Sequence, residues 1–82
     1  MPEKHLQTYT ELGLAISCLR RRRGLTRQQL ADKIHKSRTY ISSIEAVGSH
    51  TGLHLDTVFD IADALDVPVG ELFRFCDRAH LF

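Results

Sequence analysis

Arg38, Thr39, Ser42 and Ser43 carry short hydroxyls and one guanidinium at spacings that share a helix face. Such a face is short and polar enough to enter a DNA major groove about 12 Å wide. Other groupings hold less. His50 and His54, like Cys76 and His80, stand four apart, a spacing that suits two zinc ligands, but neither pair has a second ligand motif beside it and no metal is expected. Asp56, Asp60 and Asp63 recur at helical spacing without the glycine loop of a cation site, so they read as a solvated face. No Ser/His/Asp or Cys/His set has the context for nucleophilic catalysis. The chain is therefore expected to have no catalytic residue, no cofactor and no enzymatic activity. Arg20 to Arg23 suggest a nucleic-acid patch, but four consecutive residues point around more than one helical turn and cannot all face one ligand. Only Arg22 and Arg23 stay in view as peripheral phosphate contacts, and a solvated role is favoured for both.

These side chains need a scaffold, and composition bounds it. Eighty-two residues, 43% hydrophobic and 26% charged, suit one small globular domain. The net charge of +1 conceals a division. Residues 1–44 hold nine Lys/Arg against three Asp/Glu, and residues 45–82 hold two against seven. That asymmetry is a reason to consider a polyanion on one side. No apolar run approaches the ~18 residues of a membrane span. The N-terminal stretch lacks a signal peptide's apolar core, so a cytoplasmic location without membrane contact is expected. Cys18 and Cys76 are too few for a disulfide framework and read as reduced, partly buried residues.

Apolar residues recur at three and four throughout, which predicts an all-α fold. A first helix is expected from Tyr9 to Arg23, with Leu12, Ala15, Ile16 and Leu19 inward and Gly24 as its stop. Thr26 and Gln29 form a T-x-x-Q capping box that starts a second helix with Leu30, Ala31 and Ile34 inside. Ser37 is a strong N-cap for a third carrying Tyr40, Ile41 and Ile44. After Glu45, residues 46–54 read as a loop. A fourth helix, Leu55 to Leu65, is expected to bury Leu55, Val58, Ala62 and Leu65 and to turn its aspartates outward. Pro68 suits the first turn of a short fifth helix containing Leu72 and Phe73. Residues 1–8 are expected to form a mobile arm, 9–76 the domain and 77–82 an apolar tail. Helices two and three, joined by a tight turn, make a helix-turn-helix with small Ala31 at their crossing.

At this point LRRRRGLTRQQLADKI, SRTYISSIE and IADALDVPVGELF resemble the Cro/C1-type (XRE-like) helix-turn-helix regulators of bacteria and phages. The resemblance covers roughly residues 11–73, with separated segments in matching order. It implies a compact five-helix, lambda-repressor-like fold and sequence-specific binding to an operator in double-stranded DNA, usually as a homodimer on a palindromic site. By the same resemblance, Arg38, Thr39 and Ser43 match base-reading positions. Arg27 matches a phosphate contact, with Gln28, Lys36, Ser37, Tyr40 and Ser42 on the backbone side, Tyr40 and Ser42 at the flanks of the reading face. Arg20 and Glu45 match a structural ion pair.

Three departures stand out. His35 occupies the turn position usually held by glycine, at a cost of roughly 1–2 kcal/mol if φ is positive. The loop after Glu45 is about two residues longer than usual. It also lacks Lys and Arg, leaving Ser49, His50 and Thr51 as its only candidate phosphate contacts.

Phe73, Phe75, Leu81 and Phe82 crowd the C-terminal end and suggest a dimer contact. The expected function is a DNA-binding transcriptional repressor with no small-molecule effector. The alternative is a protein-binding adaptor or antitoxin-like module that uses the same fold against a partner. A small metal-dependent nuclease would need a site that the sequence does not offer.

Overall fold

The computed structural model describes residues 5–46 and 53–74, and their regular structure is helical. α1 spans Leu6–Arg22 and buries Leu12, Ala15, Ile16 and Leu19, the face its spacing predicts. It starts three residues before Tyr9, so Leu6, Gln7 and Thr8 belong to the helix and not to a mobile arm. Polar Gln7 and Thr8 hide this turn from apolar periodicity. Gln7 donates to Glu11 one turn on (3.0 Å), while Thr8 and Tyr9 line a cleft with Leu53 and Phe73.

α2 spans Arg27–Lys33 and opens on the expected capping box. The Thr26 hydroxyl accepts from the Gln29 N–H (3.0 Å), and the Gln29 side-chain carbonyl accepts from the Thr26 N–H (2.8 Å). α3 spans Arg38–Glu45, and its N-cap Ser37 accepts from the Tyr40 N–H (3.0 Å). α4 spans Leu55–Ala64, and residues 69–74 form α5 directly after Pro68.

Three helices end on the same device. At Gly24 (φ 72°), His35 (φ 59°) and Asp66 (φ 58°) the backbone turns left-handed. The next N–H then reaches back five residues: Leu25 to Arg20, Lys36 to Ala31 and Val67 to Ala62, at 3.0–3.1 Å for the outer two and 2.9 Å for the middle one. These are Schellman stops, which satisfy the last carbonyls of α1, α2 and α4 and reverse the chain within a few residues. Only one falls on glycine. His35 adopts the positive φ expected of its position, and Asp66 does so unannounced by any glycine signal.

Ile16, Leu30, Ile41, Ile61 and Leu72, one from each helix, are fully buried together with Leu65. α3 packs on α1 and α2, and α4 leans on α2. Of the α4 residues expected inside, Leu55 is not buried: it is 66% exposed. At about 100° per residue the buried arc of α4 centres on Val58 and Leu65 and includes Ile61, which leaves Leu55 and Phe59 at its rim. Asp56, Asp60 and Asp63 lie opposite that arc and are exposed, as their spacing predicts.

α1 and α3 meet backbone to backbone at Gly13. A methyl group there would strike the Ile44 carbonyl oxygen, with the Glu45 Cα 3.4 Å away. Gly13→Ala should therefore destabilise, although alanine is the better helix former by ~1 kcal/mol. Overpacking of roughly 1–3 kcal/mol is expected. Thermal denaturation followed by circular dichroism should show a midpoint lower by several degrees, and an unchanged or raised midpoint would contradict the close contact.

Candidate nucleic-acid interface

α3 has two unlike faces. Ile41 and Ile44 point inward at 0% and 5% exposure, whereas Arg38 and Thr39 are exposed and Ser42 and Ser43 half-buried. Around the helix axis Arg38, Ser42, Thr39 and Ser43 follow one another within about 140°. Ser42 thus falls between Arg38 and Thr39 on this face and not at its flank. Tyr40 is at the flank, half-buried, with the Lys36 ammonium 5.4 Å from its ring centroid. The Ser43 hydroxyl donates to the Tyr40 carbonyl one turn back (2.8 Å), which ties it to its own helix. The Arg38 side chain makes no hydrogen bond or ion pair among the described residues.

The other end of α3 is held by charge. Glu45, its last residue, has a side chain only 2% exposed. Arg20 grips both of its carboxylate oxygens, Nε donating to Oε2 (2.8 Å) and Nη2 to Oε1 (3.1 Å). The remaining edge of that guanidinium donates from Nη1 to the Leu25 carbonyl (2.9 Å), so the pair also clamps the turn after α1. A second arginine shares the same anion: Arg27 Nε donates to Glu45 Oε1 (3.0 Å) while its side chain stays 38% exposed. The spacing of Arg20 and Glu45 matched a known pattern, but the third member was not foreseen, because contact between residues 27 and 45 exists only once α2 and α3 have packed. No buried side-chain nitrogen or oxygen among the described residues lacks a partner.

The remaining candidates separate clearly. Gln28 is exposed and donates along α2 to Asp32 (2.8 Å). Arg23, for which a solvated role is favoured by the sequence, takes a structural one. Its Nη2 donates to the Asp66 carbonyl (2.9 Å) at the end of α4, a helix with no basic residue in its last turn. A cation there offsets the negative helix end. Arg20, Arg21 and Arg22 likewise occupy the last turn of α1, where the dipole favours cations. Ser49, His50 and Thr51 of the loop, and Phe75, Leu81, Phe82, Cys76 and His80 near the C-terminus, lie outside the described residues. Phe73 is described and 44% exposed. Among the described residues no cluster of His, Cys, Asp and Glu suits a metal, and no helix is long and apolar enough to cross a membrane.

Comparison with known proteins agrees with this architecture. Residues 19–72 match the family described as Helix-turn-helix. The restriction-modification controller protein C.AhdI from Aeromonas hydrophila superposes with a TM-score of 0.76 at 28% identity, over 83% of this chain and 96% of that one. The clp gene regulator ClgR from C. glutamicum superposes with a TM-score of 0.79 at 23% identity, over 96% and 95%, a likeness of fold. No curated protein sequence matches the chain.

Arg20→Met isolates the weight of the ion pair. It leaves Glu45 buried with only the partly exposed Arg27, and breaking such a pair costs roughly 3–5 kcal/mol. Urea denaturation should show a lower midpoint with an unchanged m-value, and a loss below ~1 kcal/mol would mean that Arg27 alone neutralises the carboxylate.

Proposed function

Because the chain belongs to the Cro/C1-type helix-turn-helix family, we propose that it is a sequence-specific DNA-binding transcriptional repressor that grips a palindromic operator as a homodimer. One observation carries this reading: α3 presents Arg38, Thr39, Ser42 and Ser43 on one polar face while Ile41 and Ile44 lock its opposite side and Glu45 anchors its C-terminal end. A reading helix must be fixed from behind and polar in front. Arg38, without an intramolecular partner among the described residues, has the fork geometry that suits guanine O6 and N7. Thr39 and Ser43 offer hydroxyls to neighbouring base edges, with Ser42 between Arg38 and Thr39. Lys36, Tyr40, Ser37, Gln28 and Arg27, the positions that the family resemblance implies, suit the backbone, where contacts set register without reading sequence.

Dimerisation draws on a separate surface. Leu55 and Phe59 share one side of α4, and Phe73 of α5 lines a cleft of about 330 Å³ together with Leu55 and Tyr9. Large apolar side chains gathered on so small a domain favour a covering partner, and a second copy would place two α3 helices on half-sites about 34 Å apart. Phe59→Lys with Phe73→Lys should shift sedimentation toward monomer at concentrations where the unaltered chain dimerises. Each lost apolar contact is worth about 1.5–3 kcal/mol, and an unchanged dimer would move the interface elsewhere.

The same apolar surface also favours the rival reading, an adaptor that binds a partner protein. Titration with duplex DNA at several salt concentrations separates the two, since a DNA reader loses affinity steeply as salt rises. On the preferred duplex, obtained by selection from random sequences, Arg38→Ala should cost roughly 1–3 kcal/mol and relax the requirement at one base pair. Equal binding by the variant and the unaltered chain would remove Arg38 from the reading set.

A further inference from the structure

Resting on the DNA-binding reading above, we propose that Glu45 is a positioning residue for DNA affinity, which presets the guanidinium of Arg27 for a single backbone phosphate. Arg27 uses one of its five N–H donors, on Nε, to hold Glu45 Oε1 (3.0 Å). Its side chain is 38% exposed, so part of the guanidinium faces water while the Nε edge is fastened inside. The anchor itself cannot swing. Glu45 is 2% exposed in its side chain, and Arg20, at 7%, holds both of its oxygens.

Two consequences follow from that arrangement. A free arginine loses rotamer freedom when it grips a phosphate, whereas Arg27 has already lost much of it to a fixed partner. Two guanidiniums on one carboxylate also leave one unit of positive charge in excess. Arg20 is buried, so the excess is presented to solvent by Arg27. The same bond ties the first residue of α2 to the last residue of α3 and so fixes the distance between a phosphate contact and the reading face. Lysine replaces this function poorly. Its three donors share one nitrogen, which must stand within hydrogen-bond reach of both anions at once, while arginine offers separate edges to each.

The test is fluorescence anisotropy of the full chain on a short mixed-sequence duplex over a salt series, with urea denaturation alongside. Arg27→Lys and Arg27→Ala should both bind roughly tenfold more weakly, the ratio expected when one charge-assisted phosphate contact is lost. Their log–log salt slopes should fall by about 0.9. The lysine variant should retain its stability, because the ammonium stays with Glu45. Wild-type affinity in Arg27→Lys would reduce the residue to a simple charge and overturn the proposal. Glu45→Gln, confirmed folded by circular dichroism, should weaken binding in the unaltered background and add nothing in Arg27→Ala. Additive losses would overturn the positioning role, and if Glu45→Gln does not fold the lysine variant decides alone. An unaltered chain that binds no duplex would overturn the DNA-binding reading along with this one.

Discussion

A single buried carboxylate organises this domain. Glu45 closes α3, and the two arginines that meet there come from the last turn of α1 and the first residue of α2. A lone anion at 2% exposure would be expensive, and so would the buried guanidinium of Arg20. Together they are tolerable only while three helices keep their places, which makes the triad a constraint on geometry more than a source of stability. Because Arg20 also binds the Leu25 carbonyl, the constraint extends to the turn that aims α2.

The apolar core and the helix ends agree with that constraint. Gly13 lets α1 come so near α3 that its missing methyl is filled by the Ile44 carbonyl, one residue before the carboxylate. Three left-handed stops turn the chain sharply after α1, α2 and α4, and the one at His35 sets the angle at which α3 leaves α2. The non-glycine residues at His35 and Asp66 cost roughly 1 kcal/mol or more each. They persist because the packed helices on both sides over-determine the turn.

Charge is sorted by the same architecture. Lys36 and Arg38 remain at the edge that holds the polar face of α3, and Arg27 is held there by Glu45. Arg23 is drawn off to the acidic end of α4 and serves that helix instead. The division of the sequence into a basic first half and an acidic second half therefore overstates the positive edge. What is left is a small cluster, and Asp60 and Asp63 of α4 line a shallow pocket beside Lys33 and His35 at the turn that precedes α3.

Much of the fold is written in local chemistry. The T-x-x-Q box, the Ser37 cap, the glycine after the arginine run and the periodic Leu, Ile and Ala residues each act within a turn or two of helix, so the elements and most of the core could be read in order along the chain. The polar face of α3 was legible for the same reason. Non-local facts were not. Leu55 lies at the rim because the buried arc of α4 includes Thr57 and Ile61, a rotation set by packing against α2 and not by α4 alone. Gly13 looks like a weak point in a helix until α3 crosses it. Arg27 looks like a free surface charge until packing brings Glu45 to its Nε. Residue types and spacing determined which helices form and which side chains face outward. Only the packed structure decided how close the helices come and which cations are left unpaired, because both depend on contacts between residues distant in the chain.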